Sequence, residues 1–190
     1  MVKKKLYTLS GCILPLMICS GIVYSMFSLF LAEVLHIEKS QIGLIYMAGS
    51  GAGFAFAPLL GKLTDRFGRK PFILFSMGSF AIVFVLYSFV HTYSAMFPIQ
   101  ALQGISWAVI GTSANAYIAD IAPYEQRGWA LGMYQRVMSL GWIAGPAIGG
   151  FLFETIGFGN AFLLGAAVVF VSIIPAFILI KESKAEADKG

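Results

Sequence analysis

The chain has 190 residues, 58% of them hydrophobic and only 12% charged, with a net charge of +4 and a mean hydropathy of +0.82. Soluble domains carry about a quarter charged residues, so this balance excludes a water-soluble fold and points to an all-α membrane protein. The bases sit beside apolar runs rather than along a surface stripe, which excludes nucleic acid as a partner.

A spanning helix needs about 20 apolar residues, and runs of that length at 9–31, 41–60, 72–91, 95–118, 129–153 and 161–180 predict six transmembrane helices. The first follows Lys3, Lys4 and Lys5 as a secretory leader would. It is too long for one, and no small-residue cleavage site follows, so it reads as an uncleaved first helix. Its Cys12 and Cys19, at helical spacing, read as packed small side chains rather than a disulfide or a metal pair.

Residues 61–71 join the second run to the third: Gly61, Lys62, Leu63, Thr64, Asp65, Arg66, Phe67, Gly68, Arg69, Lys70, Pro71. Two glycines bracket one acid among four bases and a proline restarts the chain, which predicts a sharp turn that holds ion pairs at a membrane surface. Asp65 suits the positive N-terminus of a neighbouring helix. The bases suit acids on adjacent connectors or anionic lipid headgroups. Together they would form a latch that sliding helices must break, whereas a plain basic connector needs neither the glycines nor the acid.

The fourth run carries Gln100, Gln103, Trp107 and Asn115 and ends at Asp120, with Pro123, Glu125 and Arg127 beyond. Arg136 is the one ionisable residue placed inside a run. It faces a wet cavity, snorkels to the interface, or joins the Asp65 network. Gly141, Gly145 and Gly149 recur every four residues and share a face that permits close helix approach, while Pro146 bends that helix. At its end Gly150, Leu152, Glu154 and Gly157 repeat the spacing of Gly61, Leu63, Asp65 and Gly68. Three spans separate the copies, so they fall on opposite faces of the membrane, as an inverted 3+3 repeat requires.

The bases at Lys3 to Lys5, Lys62 to Lys70, Arg127 and Lys181 to Lys189 fall on one side of a six-span arrangement. The other side offers only Lys39 among the bases, with Glu33, His36, Glu38, His91 and Glu154. This predicts a cell-membrane protein with both termini cytoplasmic, a bundle over 1–180, and the start of a polar cytoplasmic linker or tail over 181–190.

The connector at 61–71 resembles the signature between the second and third helices of the major facilitator superfamily: glycine, any, leucine, alanine, aspartate, arginine, any, glycine, arginine, lysine. Thr64 stands at the alanine position. The resemblance implies an alternating-access transporter of small solutes, with no cofactor and no enzymatic activity. It covers the whole chain but only the N-terminal six-helix half of that fold, so it implies a second half as partner, either a copy of this chain or a separate one. The second arginine of that signature commonly pairs with an acid ending the fourth helix, which implies an Arg69–Asp120 gating pair. Gly61, Asp65, Arg66, Gly68, Lys70 and Arg136 complete the gating group. Residues 141–150, with Gly141, Gly145, Pro146, Gly149 and Gly150, resemble the fifth-helix motif of the superfamily's drug:proton antiporters, which implies multidrug efflux.

The same fold would turn its first and fourth helices to a central cavity, making Tyr24, Phe27, Gln100, Gln103, Trp107 and Asn115 candidate substrate contacts, joined by Gln135 and Trp142. Large apolar faces and few charges suit a lipophilic, even cationic, solute. The chain departs from the antiporter pattern at Gln100, which stands where an arginine is usual. No acid lies inside the first run, so a proton partner is left open. Carriage of sugars, organic anions or other metabolites is the alternative within the superfamily, and a non-transporting assembly or regulatory half-protein the alternative of another class. An intramembrane serine protease would also suit six spans, but His36 and His91 sit at span ends and Ser50 lies in a small-residue packing run. No phosphate-binding loop is present.

Overall fold

An apolar chain in lipid must satisfy its backbone amides internally, and helices do this within one segment. The computed structural model describes residues 2–183, folded into α1 (Val2–Glu33), α2 (Lys39–Phe67), α3 (Lys70–Phe89), α4 (Tyr93–Ile121) and α5 (Arg127–Leu179), with a single 3-10 turn at Tyr124–Gln126. Helix α5 is broken at Gly157, whose φ of 76° and ψ of 167° divide it into arms over 127–156 and 158–179. Residues 184–190 of the expected polar tail lie outside the described residues.

Among the described residues, four segments are long and apolar enough to cross a membrane: α1, α2, α3, and α5 with the turn before it. Helix α4 is long enough, at 29 residues, but is interrupted by Gln100, Gln103, Ser106 and Ser113, all buried in the bundle. A helix that hides polar side chains among its neighbours lacks the uniform apolar character of the other four.

The helices outrun their apolar runs. Helix α1 takes Lys3 to Lys5 into its first turns and α2 continues to Phe67, so Gly61 and Asp65 are helical and only Gly68 and Arg69 lie outside a helix. The longer connector read from the sequence is corrected by snorkelling: a lysine or arginine at a helix end reaches water while its backbone stays hydrogen-bonded. The connector expected between the fifth and sixth runs contracts in the same way to the kink at Gly157.

Helix α1 packs along α5, α2 along α4, and α3 against both α4 and α5. Glycine sets two of these approaches. A Cβ on Gly141 would lie 2.5 Å from the Met17 backbone, and one on Gly145 would lie 2.5 Å from the Gly21 Cα. Across the other crossing, a Cβ on Gly104 would lie 2.6 Å from the Gly49 carbonyl carbon and one on Gly53 2.8 Å from the Gly104 oxygen. The register rises together in each pair, so the paired helices run parallel. Aromatic rings fill the interior: Phe27 lies 4.9 Å from Tyr87, Phe30 5.0 Å from Phe162, and Phe80 5.0 Å from Trp107. Helix α2 is the least enclosed, with 11% of its apolar window buried against 50% for α1 and α3.

Candidate functional site

At the end of the bundle that carries most of the bases, the turn from α2 to α3 is made by Gly68, at φ 99° and ψ 167°. Its amide donates to the Thr64 carbonyl at 3.1 Å, and the reversal swings Arg69 under the end of α2. The Arg69 Nε donates to Asp120 Oδ2 at 2.9 Å, and its Nη1 donates to Asp65 Oδ1 at 2.7 Å and to the Thr64 carbonyl at 2.8 Å. Burial draws the guanidinium pKa down, but the hydrogen bond and charge of Asp120, then those of Asp65, outweigh it and leave the pKa raised. Arg69 therefore stays charged at any pH the protein meets.

Two residues that the sequence reading missed complete this cluster. Glu182, just past the end of α5, accepts from the Arg69 amide at 2.8 Å and the Lys70 amide at 3.1 Å, placing a carboxylate on the N-terminus of α3. Ser183 Oγ donates to Asp120 Oδ2 at 2.8 Å. Lys70 Nζ reaches back to the Phe177 carbonyl at 2.6 Å, so the ends of α2, α3, α4 and α5 meet in one polar knot. Nothing local to Glu182 signals this, since Arg69 and Lys70 lie more than a hundred residues away.

Of the other expected members of the gating group, Gly61 and Arg136 sit apart. Arg66 places its guanidinium 5.3 Å from the Phe67 ring centroid. Gly61 is inside α2 with nothing within 4 Å of a Cβ, so neither turn nor close approach explains it. Arg136 does not join the Asp65 network: it is exposed, and its guanidinium meets the Met133 sulfur at 3.5 Å. About two and a half turns of helix separate it from the start of α5, and it points away from the face that packs on α1.

Toward the middle of the bundle a cavity of about 480 Å³ opens between α1, α2 and α4, lined among others by Tyr24, Tyr46, Gly49, Gln100, Gln103 and Trp107 and by no acid, lysine, arginine or histidine. Trp107 Nε1 donates to the Tyr24 hydroxyl at 3.1 Å. Trp142 joins these two, its ring 5.5 Å from Tyr24 and stacked 6.5 Å from Trp107. Glycines 49, 53 and 104, at the close crossing of α2 and α4, also line the cavity.

The remaining cavity candidates need correction. Gln100 and Gln103 line the cavity but are only 2% exposed, because both amide oxygens lie against the Tyr87 hydroxyl, at 2.6 and 2.9 Å. Phe27 is a core ring against Tyr46 and Tyr87 and does not line the cavity. Asn115 and Gln135 are exposed outside it. In α5, Gly141, Gly145 and Gly149 are buried on the α1 face, Gly150 lies at its edge, and Pro146 is exposed.

Residues 9–190 match the family described as Major Facilitator Superfamily. The chain belongs to the Major Facilitator Superfamily. That is a superfamily of transporters, which removes the intramembrane-enzyme reading. Multidrug resistance protein 2 of Bacillus subtilis is 29% identical over 153 residues, covering 80% of this chain and 38% of that protein. Multidrug resistance protein MdtG of Proteus mirabilis is 37% identical over 127 residues, 67% of this chain and 31% of its own length. Quinolone resistance protein NorA of Staphylococcus aureus is 24% identical across the whole chain and 48% of its own length. Among solved structures, the human organic anion transporter MFSD10 (TETRAN) shares the fold, with a TM-score of 0.76 at 17% identity over 96% of this chain and 48% of that one. The chain thus spans less than half the length of each of these superfamily relatives.

Proposed function

We propose that the chain is one six-span half of an alternating-access transporter that exports lipophilic aromatic compounds from the cell. The observation that carries the solute class is the cavity, aromatic and amide-lined with no fixed charge. A sugar site needs many more hydrogen-bonding groups, and an organic anion would meet no base. The multidrug relatives support export over uptake. The arms 127–156 and 158–179 serve as the fifth and sixth spans, and the bases gathered at one end put both termini in the cytoplasm.

Backbone geometry supports the 3+3 inverted repeat. The two positive-φ glycines among the described residues are Gly68 and Gly157, the positions the sequence repeat pairs, and both have ψ of 167°. The polar knot around Arg69 acts as the cytoplasmic latch, held closed by Asp65, Asp120 and Glu182. Helix α2 and the first arm of α5, whose exposed apolar residues include Phe54 and Ile143, offer the faces on which a second half docks. Proton coupling, if present, runs through that second half, because Gln100 is neutral and no carboxylate lines the cavity.

Reconstitution tests this reading. Proteoliposomes carrying the chain alone, or the chain with its second half, are loaded with a fluorescent lipophilic compound and followed with and without a pH gradient. Flux that depends on the second half supports the proposal, and its gradient dependence separates antiport from facilitated exchange. Transport by a strict monomer would refute the half-transporter reading. No flux in either preparation would favour a regulatory or assembly role.

A further inference from the structure

Tyr87 lies on α3, outside the cavity lining, and its ring is fully buried between Phe27 and Phe162, with centroids at 4.9 and 5.7 Å. Its hydroxyl reaches both cavity amides of α4, 2.6 Å from Gln100 Oε1 and 2.9 Å from Gln103 Oε1. A phenol has one proton to give and lone pairs to receive. The shorter contact takes that proton, and the longer is satisfied when the Gln103 amide turns its NH2 to the phenol oxygen.

This arrangement fixes what each amide has left over. Gln100, with its oxygen engaged by Tyr87, keeps its NH2, which lies beside the cavity-lining Gly49, 3.3 Å from where a Cβ there would sit. Gln103, once its amide is turned over to give its NH2 to the phenol, keeps its oxygen. One turn apart on α4, the pair then offers a donor and an acceptor beneath the Tyr24 and Trp107 rings, in a cavity with no countercharge.

We propose that Tyr87 is a positioning residue that sets the specificity of this cavity: through Gln100 and Gln103 it selects neutral aromatic compounds bearing a carboxamide- or lactam-like group over permanent cations. This rests on the reading of the cavity as the solute site. A site built to pair a donor with an acceptor discriminates strongly against solutes that leave those groups unmet, whereas a cation would be attracted only by the ring faces.

The test is binding to the purified chain in lipid nanodiscs, read by quenching of tryptophan fluorescence, since Trp107 and Trp142 flank the site. Two probes are compared: a naphthalene carboxamide, and tetraphenylphosphonium, which has no hydrogen-bonding group. The wild type binds the carboxamide more tightly. Tyr87→Phe keeps the buried ring and weakens carboxamide binding about tenfold, while phosphonium binding changes less than twofold. Gln103→Met, should Tyr87→Phe fail to fold, reproduces the same selective loss. Equal weakening of both probes would assign Tyr87 a structural role and overturn the proposal, as would unchanged carboxamide binding or a wild type that prefers phosphonium. A wild type that binds neither probe would defeat the cavity reading itself, and this inference with it.

Discussion

Alanine at position 68 would meet two separate obstacles, and the structure lets each be weighed. The backbone sits at φ 99° and ψ 167°, a region essentially reserved for glycine, so any side chain there costs about 1 to 3 kcal/mol. The new Cβ would also lie 2.6 Å from Glu182 Oε2. The carboxylate can swing aside, but only by giving up its bonds to the Arg69 and Lys70 amides, worth about 1 kcal/mol each at a partly buried helix terminus. Gly68→Ala should therefore cost about 3 to 5 kcal/mol in total. Gly157 has nearly the same dihedrals but nothing within 4 Å of a Cβ, so Gly157→Ala should show the backbone share alone. Gly61→Ala, in an open helical position, should be neutral or stabilising by up to about 1 kcal/mol. Equilibrium unfolding in mixed detergent micelles, followed by circular dichroism, ranks the three. Repeating Gly68→Ala in a Glu182→Ala background should cut its cost to the Gly157 value. A Gly68→Ala chain as stable as wild type, or a cost unchanged by removing Glu182, would refute the reasoning.

Three further experiments probe other parts of the bundle. Gly104→Ala drives a Cβ onto the Gly49 backbone, which cannot yield as a side chain would, and should cost at least about 3 kcal/mol or prevent insertion; Gly111→Ala, with open space in the same helix, is the control that should remain folded. Exchanging the charges, Arg69→Asp with Asp120→Arg, should recover part of what each single variant loses, about 1 kcal/mol, but not all, because Arg69 also donates to Asp65 and Thr64; a double variant no better than the worse single one in unfolding and transport would remove the pair from the latch. The Tyr134 hydroxyl is buried with no hydrogen-bond partner among the described residues, so Tyr134→Phe should leave stability unchanged or raise it by about 1 kcal/mol in the same unfolding assay.

What the sequence made legible is what short-range pattern encodes. Helices follow from apolar length and the small-residue face of α5 from its four-residue period, while the contact between Arg69 and Asp120 was implied by the connector's resemblance to the superfamily signature. Tertiary partners carried no such mark. The glycine face at 141 to 149 needed Gly21 of α1 opposite it, and although the small residues around Gly49 read as packing, their partner Gly104 did not, because isolated glycines in α4 look like ordinary composition. Gln100 and Gln103 read as wet cavity groups, since nothing near them in sequence announces that Tyr87, on another helix, would take up their amides. Glu182 looked like one acid in a charged tail. Its role exists only once the end of α5 is brought beside the turn between α2 and α3.

The packing pattern adds an argument for the proposed inverted repeat that the sequence match alone could not make. If the chain is two copies of three spans, the first, second and third map onto the fourth, fifth and sixth. The crossing of α1 with the first arm of α5 then maps onto the crossing of α4 with α2. Both pairs run parallel although their members are not neighbours in sequence. Both approach through glycines whose Cβ atoms would strike the backbone of the facing helix. No other helix pair among the described residues is built this way: around α3 the contacts are side chains, as where Gly165 meets the Phe84 ring at 3.6 Å. A repeat imposed only by the spacing of four residues in the two turns would have no reason to reproduce a backbone-to-backbone crossing some distance along the helices. Finding it there, in the pair that the mapping selects, ties the turn at Gly68 and the kink at Gly157 to one architectural rule.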